Sequence, residues 1–314
     1  MDAPPLLPTR ARDSHKGTAG TVGVIGGCAG DGQARMVGAP ALAARAALRA
    51  GAGLAKIASP DRILTEVIGL CPSATGVSLA TGADGAVVAH EAAAVLDRLA
   101  NDAGCLVVGP GMGSGDAVES SALRAVGQQE CPVVLDADGL NALASVAHYA
   151  GEIRGRVIVT PHPGEFRRLA GPLKIAEDPT DDATRTAAAE RLAQALGCVV
   201  VLKGAGTVVS DGHRTWVSER GHPCLATAGT GDVLAGVIGG LVAQYAAAAP
   251  IAPGVAMPVD PRKPLDLFDC ARVGVLAHAI AGERWAAGHD ASAGLLAAEL
   301  ADEIPAVIET LRGA

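Results

Sequence analysis

Aromatic side chains are nearly missing from this chain: two Trp, two Tyr and two Phe stand among 314 residues. A core must therefore be built from Ala, Val, Leu and Ile, and few rings are left to stack on an unpaired base. With a net charge of −8, from 25 Lys and Arg against 33 Asp and Glu, that shortage argues against a nucleic-acid partner. Seven cysteines stand singly at 28, 71, 105, 131, 198, 224 and 270 with no C-x-x-C pair. Neither a disulfide framework nor a zinc ribbon is expected, and the thiols read as reduced in a cytoplasmic protein. The opening stretch MDAPPLLPTRARDSHKG lacks the apolar run of a secretory signal. Val233 to Val259 carries no charge, but Gln244, Tyr245 and the prolines at 250, 253 and 258 interrupt it. A buried helix followed by a loop is expected there rather than a membrane span. No lysine follows a glycine, so there is no Walker A loop, and G-x-G-x-x-G, H-E-x-x-H and G-x-S-x-G are also missing.

What is present is an alternation. The short apolar runs TVGVIG (21–26), LAKIAS (54–59), CLVVG (105–109), PVVLD (132–136), RVIVT (156–160) and CVVVL (198–202) read as strands covered on both faces. Between them, APALAARAALRA (39–50), HEAAAVLDRLA (90–100) and TRTAAAERLAQAL (184–196) read as helices with Arg and Glu along one face. The pattern predicts a three-layer α/β/α domain around a mainly parallel sheet. TVVS and TWVS around DGHR predict a hairpin, and the Ala/Pro-rich segment 246–266 predicts an extended surface loop. No linker divides the chain, so residues 1–314 are expected to form one domain.

The 41 glycines cluster at the ends of apolar runs and read as loop chemistry. GGCAG (26–30), GPGMG (109–113), TPHPGE (160–165) and KGAGT (203–207) each follow a predicted strand, where an open parallel sheet binds ligands. A fifth turn, ATAGTGD, ends in Asp232 before an apolar helix. Two readings of Asp232 stand together. As an N-cap it would accept from the next turn's N–H, contributing about 0.5–2 kcal/mol. As a general base it would take a proton from a hydroxyl attacking a phosphoryl group held on the amides of Ala228 to Gly231.

In combination, GTGDVLAG, TPHPGEF, VLKGAGT, VVLDADGLNAL, VVGPGMG and GAPALAARAALRAGAGL resemble the ADP- or ATP-dependent NAD(P)H-hydrate dehydratases of the ribokinase-like superfamily, in order from about Ser14 to near the C-terminus. The resemblance implies repair of nicotinamide cofactors hydrated at ring carbon 6. Phosphorylation of that hydroxyl by ADP would turn a poor leaving group into phosphate, whose departure restores NADH or NADPH. It implies Asp232 as the base, with Ala39, Gly113, His162 and Asp232 contacting the hydrate. Lys203, Gly204, Ala205, Gly206 and Thr207, with Gly229, Thr230 and Gly231, would contact the nucleotide.

For other residues, more than one reading stays open. His162, between Pro161 and Pro163, reads as a structural group or a substrate contact whose ring is held in one direction. Glu165 reads equally as a first-turn helix acid or as an organiser of Mg²⁺ through water. Lys203 could be a surface ion pair. The bacterial-type HPGE and KGAGT forms imply ADP over ATP as donor, and NADH and NADPH hydrates as substrates. A homo-oligomer, no nucleic acid or membrane partner, and a separate epimerase acting on the same substrate complete the expectation, because too few residues precede the first strand for an epimerase domain. Two departures from the family's pattern are the longer, more charged segment 28–38, in which Arg35 has no assignable role, and the loop 246–266. The alternatives are a small-molecule kinase of the hydroxymethylpyrimidine or hydroxyethylthiazole type, and a silent nucleotide-binding module.

Overall fold

The computed structural model describes residues 3–30, 34–247 and 263–313. Nine strands form one sheet in it: β1 (Thr21–Ile25), β2 (Leu54–Pro60), β3 (Thr75–Leu79), β4 (Cys105–Val108), β5 (Val133–Leu135), β6 (Val157–Val159), β7 (Val199–Leu202), β8 (Val208–Ser210) and β9 (Thr215–Val217). The order is β3-β2-β1-β4-β5-β6-β7-β8-β9. Pairing is parallel from β3 to β7 and antiparallel through the β8–β9 hairpin. Ten helices cover it: α1 (Gly38–Arg49), α2 (Leu64–Leu70), α3 (Ala89–Asp102), α4 (Asp116–Gly127), α5 (Asp138–Ser145), α6 (Pro163–Ala170), α7 (Arg185–Leu196), α8 (Thr230–Tyr245), α9 (Leu267–His289) and α10 (Ala297–Thr310).

Strand alternation divides the apolar residues between two cores. Val24, Ile57, Val107, Val134 and Ile158 point to the layer of α1, α8, α9 and α10. Ile25, Leu106, Val108, Val133 and Leu135 point to the layer of α3 to α7. This is why the strands read as continuous apolar runs: neither face meets water. The three-layer expectation holds, as do the six anticipated strands and the hairpin. β3 goes beyond it. TGVSL buries only Leu79, because an edge strand needs one anchored side chain rather than an apolar run.

Helix α8 is buried at every position from Val233 to Tyr245, so this part of the uncharged stretch is a core helix. Among the described residues, no helix is long and apolar enough to cross a membrane. The glycines are more than loop chemistry. A Cβ on Gly236 would lie 2.1 Å from the Ala43 carbonyl oxygen and one on Gly240 2.8 Å from that of Ala47, so α8 rests directly on the backbone of α1. Ala246 bridges to Leu265 at the mouth of the expected loop, whose residues 248–262 lie outside the described ones, as do residues 31–33 of the segment 28–38. All seven cysteines are free; six are buried, and Cys28 is partly exposed.

Candidate active site

The anticipated Gly-rich turns all leave the same edge of the sheet, because β1, β4, β6 and β7 run parallel. Asp232 stands above that edge, though not as a cap. Helix α8 begins at Thr230, and its N-cap is Gly229, with φ +90°, which makes no side-chain cap bond. Only glycine adopts that conformation without strain, and it turns the chain so that Asp232 becomes the third residue of the helix. The capping reading is therefore corrected: the carboxylate is not engaged in closing the helix start. Burial, with the negative charge of Asp136 next in size, pushes its pKa up to about 7, while Lys203 acts in the opposite direction.

Lys203 leaves the end of β7 and is not a surface lysine. Its side chain is 18% exposed; its Nζ donates to Asp136 Oδ1 at 2.7 Å and lies 3.7 Å from Glu165 Oε2. Burial alone would lower its pKa, but Asp136 and Glu165 raise it, so the ammonium is held charged. The same Asp136 oxygen accepts from the Thr160 hydroxyl at 2.6 Å. A Cβ on Gly231 would lie 3.5 Å from Lys203 Nζ, which places the ammonium against the turn that precedes Asp232.

Beside this cluster lies a cavity of about 590 Å³, lined by Lys203 to Thr207, Thr230 and Gly231 among others. Seven of the eight residues expected to contact a nucleotide thus face one space; Gly229 backs the turn from outside it. His278, on α9, lines it too. Its Nε2 pairs with the Thr230 carbonyl oxygen at 2.9 Å, and loss of solvation pulls its pKa down to about 4, so the ring is neutral.

None of the four residues expected to contact the hydrate lines that cavity. A Cβ on Gly111 would be 3.1 Å from that of Ala39, and the Gly113 N–H donates to Asp138 Oδ2 at 2.8 Å. Asp138 in turn acts on the charge of Asp232. His162 caps α6: its Nδ1 accepts from the N–H groups of Gly164 at 2.9 Å and Glu165 at 3.3 Å, while Glu165 Oε2 accepts from the His162 N–H at 2.8 Å. This reciprocal pair fixes the ring direction more firmly than the flanking prolines would. It also makes Glu165 a first-turn acid, with burial as the largest cause raising its pKa. Among the described residues, no group of three or more His, Cys, Asp or Glu side chains is placed to hold a metal ion.

Asp136, Thr160, Arg185 and His278 were not singled out from the sequence. Asp136 had a signal in PVVLD: a carboxylate ending a continuous buried strand, as Lys203 ends VVVL. Arg185 had none, since an Arg opening an Ala-rich helix reads as solvent-facing.

The sheet order and the layers are those of a ribokinase-like α/β/α fold. A model of the NAD(P)H-hydrate dehydratase family matches residues 22–306, and the chain belongs to that family. It is 37% identical over 305 residues to the ADP-dependent (S)-NAD(P)H-hydrate dehydratase of Neisseria meningitidis serogroup B, covering 95% of this chain and 88% of that one. A bifunctional NAD(P)H-hydrate repair enzyme of Coxiella burnetii is 38% identical, over 94% of this chain and 52% of its own length. The chain spans about half the length of the first curated relatives it matches. The crystal structure of the ADP/ATP-dependent NAD(P)H-hydrate dehydratase of Bacillus subtilis, co-crystallised with ATP and Mg²⁺, superposes with a TM-score of 0.74 at 29% identity, covering 99% of this chain and all of that one.

Proposed function

We propose that the chain, acting as a single domain, returns hydrated NADH and NADPH to their reduced forms in an ADP-dependent dehydration. The observation that carries this reading is the Asp232 carboxyl, poised near neutrality by burial beside a glycine turn and a charged lysine. A base titrating near the working pH balances the fraction ionised against its strength. The Neisseria relative is named for ADP, which supports that donor over ATP.

In the reaction, Asp232 takes the proton of the 6-hydroxyl as its oxygen bonds to the terminal phosphorus of ADP and the bond to the AMP oxygen breaks. Lys203 and the amides of Gly229 to Gly231 face the charge that shifts onto the phosphoryl oxygens. The C6–O bond then breaks with the pair leaving on phosphate, the ring nitrogen lone pair fills in, and loss of a proton from C5 re-forms the ring double bond. Asp136 keeps Lys203 in place throughout. The neutral His278 and the apolar side chains of Leu225, Leu234 and Val275 suit the wall of a base-binding cavity.

The Glu165 carboxylate beside Lys203 would suit Mg²⁺ that arrives on the nucleotide phosphates and keeps part of its water shell. Glu165 would reach it through water, and the ion would neutralise phosphate charge.

The experiment is incubation of the protein with hydrated NADPH, Mg²⁺ and either ADP or ATP. Inorganic phosphate, AMP from ADP, and a rise in reduced-nicotinamide absorbance are expected. A stable phosphorylated product would instead indicate a small-molecule kinase and overturn the reading.

A further inference from the structure

Arg185 opens α7, and it is a costly residue there. A cation in the first turn opposes the helix dipole, and the side chain is turned inward, with the residue 7% exposed. Among the described residues, no carboxylate lies within ion-pairing distance of it, and burial lowers its pKa. Its partners are instead three backbone carbonyls. Nη1 donates to Pro179 at 2.6 Å, Nη2 to Leu202 at 2.9 Å and Nε to Gly206 at 3.1 Å. Leu202 and Gly206 bracket Lys203, Gly204 and Ala205, so one rigid fork holds both sides of a single loop. Gly204 passes over that fork at φ +150°, and a Cβ on it would come within 2.7 Å of Nη2. Gly204 is therefore matched to the guanidinium lying under it.

We infer that Arg185 is a positioning residue for the nucleotide: its guanidinium fixes the Lys203–Thr207 loop in binding form from beneath, without touching the ligand. The inference rests on the reading of that loop as the nucleotide segment. It predicts a cost in nucleotide affinity and not in the chemical step, because Asp232 stands on α8 and Lys203, although it opens the loop, is held by its own bond to Asp136. A lysine cannot substitute, since one ammonium does not span the Leu202 and Gly206 carbonyls in the plane of a fork.

The test compares wild type, Arg185→Lys and Arg185→Gln. ADP binding is followed by calorimetry, turnover at saturating ADP is measured, and the loop's backbone order parameters are obtained by nuclear magnetic resonance. Both variants are expected to weaken ADP binding by roughly tenfold or more, while kcat stays within about threefold. Order parameters of residues 204–206 should match the flanking strands at about 0.85 in wild type and drop toward about 0.6 in the variants. A residue that merely stabilises the fold would lower the melting temperature and leave ADP affinity unchanged, and that result overturns the inference. If neither variant folds, the wild-type loop decides: order parameters as low as those of a free surface loop exclude a brace, while strand-like values support it. Wild type that binds no ADP would sink the functional reading instead, and the loop measurement would still judge the brace.

Discussion

Lys203 and Asp136, 67 positions apart in sequence, meet at 2.7 Å in a pocket where Asp136 is almost wholly buried. Parallel pairing through β6 places the ends of β5 and β7 one strand apart on either side of it and makes the meeting possible. Removing one partner strands the other's charge. Lys203→Met is expected to lose about 3–5 kcal/mol in denaturant unfolding. The double variant Lys203→Met with Asp136→Leu should regain much of that stability yet bind no nucleotide. A single variant as stable as wild type would show that the pair is not desolvated as described.

For Asp232 the expected result is a pH profile. With a carboxyl titrating near 7, kcat/KM for the hydrated cofactor should fall about tenfold per unit of pH on the acid side. Asp232→Asn should slow turnover by about 10²–10⁴ and remove that limb. The sign for stability is opposite to that of an ion-paired acid. A pKa raised in the folded state means the native protein binds the extra proton, so stability from this group is lost as pH rises from about 4 toward 7. Melting of Asp232→Asn above pH 7 should therefore be no lower than wild type, and a large drop would contradict the burial argument.

His162 separates a cap from a contact. Asn caps helices as well as any residue, so His162→Asn should leave thermal stability nearly unchanged, whereas His162→Ala should lose about 1 kcal/mol. If the ring also touches the hydrate, both variants raise the substrate KM alike. Equal stability of the Ala variant would mean the ring does not hold the start of α6.

Glycines in helices divide by what surrounds them. Gly236→Ala drives a methyl to 2.1 Å from the Ala43 carbonyl oxygen and should cost about 1–3 kcal/mol or more on unfolding. Gly69→Ala, on the exposed side of α2 with nothing within 4 Å of the new methyl, should stabilise by up to about 1 kcal/mol. Similar effects at the two positions would mean that α8 does not rest on α1 as closely as described.

The layering was legible because both faces of the parallel sheet are covered, so burial wrote itself into unbroken Val, Ile and Leu runs. TGVSL escaped because an edge strand with one anchored residue looks like any polar stretch. The Lys203–Thr207 segment was legible as a Gly-rich turn after a strand, and the cavity collects its residues together. Asp136 and Arg185 were not, since what defines each is a set of partners, 67 positions away for Asp136 and 6, 17 and 21 for Arg185, brought close by the fold. Asp232 was singled out as a candidate base, but its place in the helix was misjudged by the usual preference of Asp for caps. The left-handed Gly229 starts the helix earlier than that preference suggests.

The distribution of sulfur has a consequence for the chain's chemistry in a cell under oxidative stress. Six thiols sit inside the packed layers, and burial raises the pKa of Cys71, Cys105, Cys131, Cys198, Cys224 and Cys270, which keeps them protonated and unreactive. Electrophiles therefore meet a single approachable thiol, that of Cys28, packed against Gly113 on the side of the molecule expected to receive the damaged cofactor. Adduct formation at that one atom would crowd the Gly113 turn while leaving the interior thiols untouched.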